Sequence, residues 1–372
     1  MRLFRRRSTQ RVMVVGLDCA EPSLVFDQFR NDLPTLNRLM SAGTWGKLTS
    51  STPCITIPAW SSMLTSRDPG ELGFYGFRNR VNYDYGKMAV VNGASVKFPR
   101  LWDYLSEAGK TCFVANVPQT YPLRPINGQM ISGFLTPGVD AAFTYPAVYK
   151  REVLNIVPDY DFDVKDFRTP DKAQLAQRLF DLAEKQFKVL MQGVNTSWDF
   201  FMHVNMGVDR VHHGFWQYHD PAHCNYDPNS PFKDTIRNYY KLVDEQIRRL
   251  IELAGDVTVL VVSDHGAKRM DGGICLNEWL WQNGWLVLNT PPPEGQLTRF
   301  DDLDVDWSRT KAWGAGGYYA RVFLNVEGRE PQGVIPQAAY DETRDALAAA
   351  LQAISVPGEA PLNTHIIKPQ DV

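Results

Sequence analysis

The chain has 372 residues, of which 44% are hydrophobic and 10 are tryptophan, so it is long enough to bury a large core in one or two domains. Its 39 basic and 42 acidic residues give a formal net charge of -3 and do not provide the broad positive field that nucleic-acid binding requires. We therefore expect a small-molecule partner rather than a nucleic acid.

The chain opens with a basic segment, "MRLFRRRSTQ", which predicts a solvated tail over residues 1–10. The apolar run that follows, Val12 to Leu17, is too short for a signal-peptide core or a membrane span. These features predict a cytoplasmic protein without an integral membrane segment. The five cysteines share no close spacing and indicate small buried residues rather than disulfides or a cysteine-based zinc site. They are Cys19, Cys54, Cys112, Cys224 and Cys275.

Short apolar runs alternate with segments of helical periodicity from residue 11 onward. "RVMVVGLD" predicts a buried strand and "LPTLNRLMSAG" a helix, and the pair "RLWDYLSEAGK" and "TCFVANVP" predicts a further helix and strand. The long helical patterns "DKAQLAQRLFDLAEKQFKVLMQG" and "DTIRNYYKLVDEQIRRLIELAG" precede the strands "WDFFMHVNM" and "VTVLVVSDHG". This alternation predicts an α/β fold with a doubly wound, mostly parallel sheet and helices on both faces.

Two irregular stretches interrupt this pattern, near 119–170 and near 289–317, and the first is rich in Pro, Gly, Asn and aromatic residues. Neither is of low complexity, and no linker separates them from the rest of the chain. We therefore expect one catalytic domain over residues 11–372, in which the two stretches are cap-like insertions.

Metal-type ligands follow three of the predicted strands. In an open α/β sheet, ligands bind beyond the carboxyl ends of the strands, so these side chains are expected to converge. A single aspartate at such a place is usually a turn or cap residue, and the prediction depends on the set. Aspartate and imidazole suit Zn²⁺ or Mn²⁺, and two clusters on one rim predict two divalent ions about 4 Å apart. The candidates are Asp18, Asp209, His212, His213, Asp264 and His265.

Three further histidines lie close to these candidates in the sequence. His203 falls inside a predicted strand, which indicates a hydrogen-bonded core residue. His219 and His223 belong to the loop "QYHDPAHCNYDP", where turn chemistry is the expected role.

The segment "ITIPAWSSMLTS" contains the candidate nucleophile. Pro58 suits the first turn of a helix, which places Thr56 just before the helix N-terminus, where free amides and the helix dipole attract an anion. Beside two metal ions, the Thr56 hydroxyl would have a lowered pKa and could attack a phosphate. Without the ions it would be an ordinary helix-start residue. Ser61 and Ser62 are the alternative hydroxyls.

An Asp after the first strand, Thr-x-Pro, Asp-x-x-x-His and a later Asp-His together resemble the alkaline phosphatase superfamily, and most nearly its type I phosphodiesterase and nucleotide pyrophosphatase branch. The resemblance runs from Arg11 to about Gly266, with looser similarity in "YYARVFLNVEGREPQGVI". Cys54 is out of register with the Cys-x-Pro frame of the related sulfatases. The resemblance implies two ions, Zn²⁺ or alternatively Mn²⁺, one held by Asp18, Thr56, Asp264 and His265 and the other by Asp209 and His213. The family spacing selects His213, and His212 remains the alternative.

The chain departs from the family pattern after the nucleophile. Leu72-Gly73 stands where nucleotide pyrophosphatases carry His-Gly, and Phe77 stands where they carry the Asn that supports a phosphoryl oxygen. This departure argues against nucleotide specificity. The candidate substitutes for the missing Asn are Arg78, Asn79 and Asn116.

In the family, the second metal takes a further histidine from a later segment. Here the one later histidine is His365, in "LNTHIIKPQDV". Either His365 binds the second metal, or the chain lacks a C-terminal part that supplies the ligand. The resemblance implies a two-metal phosphoryl-transfer hydrolase that acts on a small phosphate ester, first a phosphodiester, through a phosphothreonine. The alternatives are a phosphomonoesterase or phosphomutase, and a truncated phosphate-binding member without catalysis.

Overall fold

The computed structural model describes residues 10–86, 88–356 and 362–371. The chain divides into two compact units. Unit 1 comprises Met1–Arg78 and Val90–Asp271, and unit 2 comprises Asn79–Ala89 and Gly272–Val372. The single catalytic domain expected from the sequence stays a prediction. The basic tail lies outside the described residues except for Gln10, whose side-chain amide donates to Thr258 Oγ1 at 2.7 Å.

The described residues form strands and helices in the following order. The strands are β1 (Val12–Leu17), β2 (Arg78–Arg80), β3 (Met88–Val90), β4 (Cys112–Val117), β5 (Gly128–Ser132), β6 (Thr144–Tyr145), β7 (Phe200–Asn205), β8 (Thr258–Val262), β9 (Ala312–Ala315) and β10 (Arg321–Leu324). The α-helices are α1 (Pro34–Ala42), α2 (Thr56–Thr65), α3 (Pro69–Leu72), α4 (Leu101–Glu107), α5 (Tyr149–Ile156), α6 (Lys172–Val194), α7 (Gly207–His219), α8 (Thr235–Ala254), α9 (Leu276–Gln282) and α10 (Tyr340–Gln352). A π-helical turn covers Ser23–Gln28, and short 3₁₀ turns cover Arg30–Asp32, Phe300–Asp302, Gln337–Ala339 and Pro369–Asp371.

The main sheet of unit 1 has the strand order β6-β5-β4-β7-β1-β8. Neighbouring strands pair in parallel except β5 and β6, which pair antiparallel at one edge. Parallel neighbours need long crossover connections, and the helices between the strands provide them. The prediction of a mostly parallel α/β sheet is confirmed.

Alternate residues of the strands point to opposite faces of the sheet, and each face has its own core. On one face, Met13 and Val15 of β1 pack with residues of α1, α6, α7 and α8. On the other face, Val14 packs with Trp60 of α2 and Trp102 of α4. Helices therefore cover both faces, as the buried, β-branched strand sequences predict.

The stretch from 119 to 170 differs from the insertion that was expected. It contributes β5 and β6 to the main sheet, and α5 follows them. These strands have five and two residues, and β5 includes a glycine, a glutamine and a serine, so they lack the long apolar run of a central strand. In the other stretch, near 289–317, β9 begins at Ala312 and a 3₁₀ turn covers Phe300–Asp302.

Unit 2 has a separate apolar core. Its strands β9 and β10 form an antiparallel pair, and Trp313 of β9 packs with Leu347 and Leu351 of α10. The rings of Tyr85 and Trp307 stack at 3.6 Å between centroids, and Tyr85 Oη donates to Asn325 Oδ1 at 2.8 Å. The Asn325 side chain and the stacked rings of Tyr85 and Trp307 thus hold one another in position within this unit.

In the part of the chain that the structure describes, no helix is long and apolar enough to cross a membrane.

The close packing of α6 on the main sheet depends on a glycine. A Cβ atom at Gly193 would lie 2.1 Å from the ring of Phe113 in β4. That ring is itself stacked on Phe201 at 4.7 Å between centroids and contacts Tyr149 edge-on. The Phe113 ring, which is packed against two other rings, therefore leaves no room for a side chain at position 193.

We predict that Gly193→Ala destabilises the protein by about 1–3 kcal/mol, because overpacking of the rings outweighs the better helix propensity of alanine. Urea unfolding measures this change. Lys188→Ala on the exposed side of α6 is the matched control and should change stability by less than about 0.5 kcal/mol. A Gly193→Ala protein that is as stable as the wild type would show that the sheet can shift away from α6.

Candidate active site

Three neighbouring strands of unit 1 end at one rim and carry the predicted ligands there. β1 lies between β7 and β8, and all three run in the same direction. Asp18 follows β1, Asp264 and His265 follow β8, and α7 begins two residues after β7. The turns are joined to each other, because the backbone N–H of Asp18 donates to the carbonyl of Asn205 at 3.1 Å and that of Cys19 to Asp264 Oδ1 at 3.1 Å.

Thr56 is the first residue of α2, one position later in the helix than predicted, because Ile55 is still extended. Its side chain is buried and faces the strand ends: Thr56 Oγ1 lies 3.4 Å from Asp18 Oδ1 and 3.2 Å from His265 Nε2. One turn along the helix, Trp60 Nε1 donates to Asp18 Oδ2 at 2.7 Å. The helix therefore positions both the candidate nucleophile and the orientation of the Asp18 carboxylate.

The hydrogen bonds of His265 assign its tautomer. Its Nδ1 lies 3.0 Å from the carbonyl of Gly266, so Nδ1 carries the proton and donates, and Nε2 has the free lone pair. This Nε2 is 3.3 Å from Asp264 Oδ2 and 3.6 Å from Asp18 Oδ1. A ring nitrogen and two carboxylates that lie this close together are a ligand set that suits a divalent cation.

Burial and mutual repulsion change the acidity of these carboxyl groups in the metal-free chain. Burial, followed by the charges of Asp264 and Asp209, raises the pKa of Asp18 well above its usual value. Burial raises the pKa of Asp264 to about 6, against the opposing charge of His265. In addition, Asp264 Oδ2 is buried with no hydrogen-bond donor among the residues that the structure describes. This orphaned oxygen and the surrounding oxygen and nitrogen donors fit a divalent ion.

The second pair of predicted ligands lies on α7. Asp209 and His213 are four residues apart on one helical face, and His213 Nε2 is 3.3 Å from Asp209 Oδ1. Asp209 is buried, whereas 27% of the His213 side chain is exposed. Although burial alone would raise the pKa of Asp209, the hydrogen bond to His213 and the charges of His213 and Arg210 lower it below its usual value. This carboxylate stays ionised and available as a ligand.

A buried arginine holds the other oxygen of Asp209. Arg210 Nη1 donates to Asp209 Oδ2 at 2.6 Å, and its Nε and Nη2 donate to the two carboxylate oxygens of Asp163 at 2.8 and 2.7 Å. The guanidinium also packs 4.6 Å from the ring centroid of Phe167. Because Arg210 occupies Oδ2, Asp209 presents Oδ1 to His213 and to the rim.

The start of α7 is fixed by a close contact with α8. A Cβ atom at Gly207 would lie 1.8 Å from Tyr239 Oη, and that hydroxyl donates to Asn205 Oδ1 at 3.1 Å. The same Asn205 oxygen accepts the backbone N–H of Gly207 at 3.0 Å. The first turn of α7, and with it Asp209, is therefore fixed against β7 and α8.

Residues 12–371 match the family described as type I phosphodiesterase / nucleotide pyrophosphatase. The chain belongs to this family. Membership confirms the family resemblance and supports the broad prediction of a phosphoryl-transfer hydrolase. No curated protein matches the chain.

Solved structures with a similar fold include two of phosphonoacetate hydrolase from Sinorhizobium meliloti 1021. The complex with phosphonoformate matches with a TM-score of 0.56 at 17% identity, and the complex with phosphonoacetate with 0.57 at 16%. Both matches cover 93% of this chain and 74% of that chain. Alkaline phosphatase from the Antarctic bacterium TAB5 matches with a TM-score of 0.33 at 11% identity, over 80% of this chain and 86% of that chain. The phosphonoacetate hydrolases share the fold, and TAB5 is too distant to add to this.

Four further histidines of unit 1 contact residues that are not among the proposed metal ligands. His212 packs between Tyr240 and Trp216, and its Nε2 lies 3.2 Å from Tyr240 Oη. Burial lowers the pKa of His203 to about 4, and this residue lines a small, mainly apolar cavity between α6, β7 and α8. His219 stacks edge-on with Phe29 and Trp216, and His223 Nδ1 accepts the backbone N–H of Asn225 at 3.0 Å, as turn chemistry predicts.

Asn116, Arg78 and Asn79 are the candidate substitutes for the family Asn that supports a phosphoryl oxygen, and they differ in burial and in hydrogen-bond partners. Asn116 is buried in β4 with a left-handed φ of 58°, and its Oδ1 accepts the Tyr160 hydroxyl at 2.6 Å. Arg78 is exposed. Asn79 belongs to unit 2, where its Oδ1 accepts from Arg321 at 3.0 Å. His365 is an exposed residue of unit 2, and its role as a metal ligand stays a prediction.

Several residues that hold the site were not identified from the sequence. Trp60 could have been suggested by its position four residues after Thr56, whereas the pairing of Arg210 with Asp163 has no local signal. The alternative hydroxyl of Ser61 donates to Gln119 Oε1 at 3.1 Å. The expectation that all cysteines are buried is wrong for three of them, since only the first and third are buried, while the exposed ones are Cys54, Cys224 and Cys275. The exposed three lie in irregular segments, where no sheet covers them.

We predict that the metal-free protein loses stability as the pH rises from about 4 to about 6, because the raised pKa of Asp264 lets the folded state bind more protons than the unfolded state in this window. The full shift from 3.8 to about 6 corresponds to on the order of 3 kcal/mol at about 1.4 kcal/mol per pKa unit. Chelator-treated wild type and Asp264→Asn are compared by urea unfolding. The stability advantage of the variant should grow with pH, and parallel pH profiles would contradict the prediction.

Proposed function

We propose that this chain is a metal-dependent phosphodiesterase that acts through a covalent phosphothreonine at Thr56. The observation that carries the proposal is the position of Thr56 Oγ1, at the N-terminus of α2 and within 3.2–3.4 Å of His265 Nε2 and Asp18 Oδ1. A hydroxyl in this place meets a lone pair that can accept its hydrogen bond. It also lies at helix amides that attract a phosphate.

Two ion sites would be formed by residues of unit 1. Asp18, Thr56, Asp264 and His265 would hold one ion, and Asp209 and His213 would hold the other, with Zn²⁺ preferred and Mn²⁺ as the alternative. When bound, the ions supply Lewis acidity that lowers the pKa of the attacking hydroxyl and neutralises charge on the phosphoryl oxygens.

The residues of the chain orient each step. Thr56 Oγ1 forms a bond to phosphorus while the bond from phosphorus to the alcohol oxygen breaks, and the alcohol leaves with a proton. Water then attacks the phosphorus of the phosphothreonine, the bond to Thr56 Oγ1 breaks, and a phosphomonoester is released. Trp60 keeps Asp18 in its orientation throughout, and Arg210 does the same for Asp209.

The substrate proposed first is a diester of a small organic alcohol. Phe77 occupies the sequence position of the family Asn and packs edge-on against Phe134 at 5.9 Å between centroids, so it offers no amide to a phosphoryl oxygen. This apolar replacement favours a small leaving group over a nucleotide. A phosphomonoesterase is the second candidate, and phosphonoacetate is a useful third test compound because proteins of similar fold bind it.

We predict that Thr56→Ala lowers the turnover of bis-p-nitrophenyl phosphate by on the order of 10³-fold or more while metal content and fold are kept. The reason is that covalent transfer needs the Thr56 oxygen. The matched control is Thr65→Ala, a buried threonine of the same helix whose hydroxyl donates to the carbonyl of Ser61 at 2.7 Å. Thr65→Ala should retain most of the activity.

The same experiment separates the alternatives. Acid quenching during turnover should trap the p-nitrophenyl phosphoryl group on the wild type and not on Thr56→Ala. Retention of most activity by Thr56→Ala would make water or a serine of α2 the nucleophile. A wild type that binds metal but hydrolyses neither diesters, monoesters nor phosphonoacetate would identify a phosphate-binding member without catalysis.

A further inference from the structure

Glu21 is a partly buried carboxylate three residues after Asp18, and the proposed mechanism does not use it. Both of its oxygens accept hydrogen bonds. Oε1 accepts from the backbone N–H and the hydroxyl of Ser23, at 3.2 and 3.0 Å. Oε2 accepts the backbone N–H of Ala267 at 3.1 Å. The Glu21 side chain therefore joins the turn after β1 to the segment that follows β8.

A glycine permits the close approach of this carboxylate. A Cβ atom at Gly266 would lie 2.4 Å from Glu21 Oε2. The backbone of Gly266 does not have a left-handed φ, so its conformation does not require glycine. What requires the absence of a side chain is the contact with Glu21.

One peptide group connects Glu21 to His265. The Ala267 N–H, which donates to Glu21 Oε2, belongs to the same peptide group as the Gly266 carbonyl. That carbonyl accepts the Nδ1–H of His265 at 3.0 Å. The peptide is trans, so its N–H and C=O point in opposite directions, and carboxylate, peptide and imidazole form one chain of hydrogen bonds. The other ring nitrogen of His265, Nε2, is the proposed metal ligand.

We propose that Glu21 is a positioning residue for His265, and that its charge, acting through the 266–267 peptide, strengthens the bond of His265 Nε2 to the first ion. A carboxylate that accepts from a peptide N–H polarises the carbonyl of that peptide. A more polarised carbonyl holds the Nδ1–H more firmly and makes the ring a better electron donor at Nε2. This inference rests on the proposed function, which assigns one ion to Asp18, Thr56, Asp264 and His265, here called the first ion.

Other contacts hold the backbone beside His265. Ser263 Oγ donates to the carbonyl of His265 at 2.8 Å. Cys19 Sγ donates to the Gly266 carbonyl at 3.3 Å, which a carbonyl with two lone pairs can accept together with the His265 Nδ1–H. Neither contact involves a charged group. Removal of the Glu21 charge should therefore weaken the binding of the first ion without unfolding the turn.

The test measures the affinity of the first ion alone, in a His213→Ala background that removes the second ion. Zn²⁺ is titrated in competition with a chelator. We expect Glu21→Gln to lower the affinity about tenfold, at the low end of the effect typical of residues that support a metal ligand. The amide keeps an acceptor for the Ala267 N–H but has no charge. Glu21→Ala should lower the affinity further, because the acceptor is lost as well.

Two further variants make the comparison specific. Gly266→Ala should also lower the affinity, because its methyl group displaces the Glu21 carboxylate, and it carries the test if the Glu21 variants do not fold. Asp244→Asn is the matched control. The oxygens of Asp244 accept the backbone N–H groups of Thr35 and Leu36 at 3.0 and 2.8 Å, between α8 and α1. This variant makes the same change from carboxylate to amide and should leave the Zn²⁺ affinity unchanged.

A second readout follows the hydrogen bond of His265 itself. In Zn²⁺-loaded protein with isotopically labelled histidine, the Nδ1–H proton gives a downfield NMR signal, which is identified by its absence from His265→Ala. We expect this signal to move upfield in Glu21→Gln and to keep its position in Asp244→Asn. A role of Glu21 that is only structural would not move the signal while the turn stays folded.

Each contrary result has a separate meaning. An unchanged Zn²⁺ affinity in Glu21→Gln, or a lowered affinity with an unmoved His265 signal, would overturn the role of Glu21 and leave the proposed function intact. Equal losses of affinity in Glu21→Gln and Asp244→Asn would also overturn it, because the effect would then be a general one on the fold. Absence of stoichiometric metal from the wild type would overturn the proposed function and the inference together.

Discussion

The crowding of three buried carboxylates at one rim of the sheet is the constraint to which the rest of the site responds. Two like charges about 4 Å apart repel each other by about 4 kcal/mol at an effective dielectric of 20. Asp18, Asp209 and Asp264 are all buried, and burial adds to the cost of ionising them. The metal-free chain compensates with N–H donors from Trp60 and Cys19, but among the described residues one oxygen of Asp264 has no donor. A set of this kind is stable in its ionised form when a cation is present.

The two ligand groups are supported in different ways. The strand-borne ligands of the first group follow the adjacent strands β1 and β8 at one side of the sheet. Hydrogen bonds between the turns hold them, including that of the Ala20 N–H to Ser263 Oγ at 2.8 Å. Those of the second group lie on one turn of α7, and Asp209 depends on Arg210, which is held in turn by Asp163. Removal of Asp163 would leave a buried guanidinium with one carboxylate instead of two. The irregular stretch that contains Asp163 therefore contributes to the site without contributing a ligand.

Much of the sheet could be predicted because buried strands have an apolar, β-branched composition that few other structures share. The Asp18 and Asp264-His265 positions followed from this, since parallel strands end at one rim. The short strands β5 and β6 could not be predicted, because their composition does not separate them from loops. Trp60, Asp163 and Arg210 act through contacts across the fold, and no local spacing encodes such contacts. The cysteines show the same difference: Cys19 and Cys112 are covered by the sheet, whereas Cys54 lies in an irregular segment.

The contact between Gly207 and Tyr239 determines where variation in α7 is tolerated. The helix is held at its first turn, where position 207 has no room for a side chain, and Asp209 follows two residues later. Its later turns, from Trp216 to His219, are only partly buried. Substitutions in the C-terminal turn of α7 can therefore be tolerated without moving the Asp209 carboxylate. A substitution in the first turn would displace Asp209 from the strand ends. The packing of Gly207 against the Tyr239 hydroxyl therefore determines how far the ligand group on α7 lies from the ligands at the strand ends.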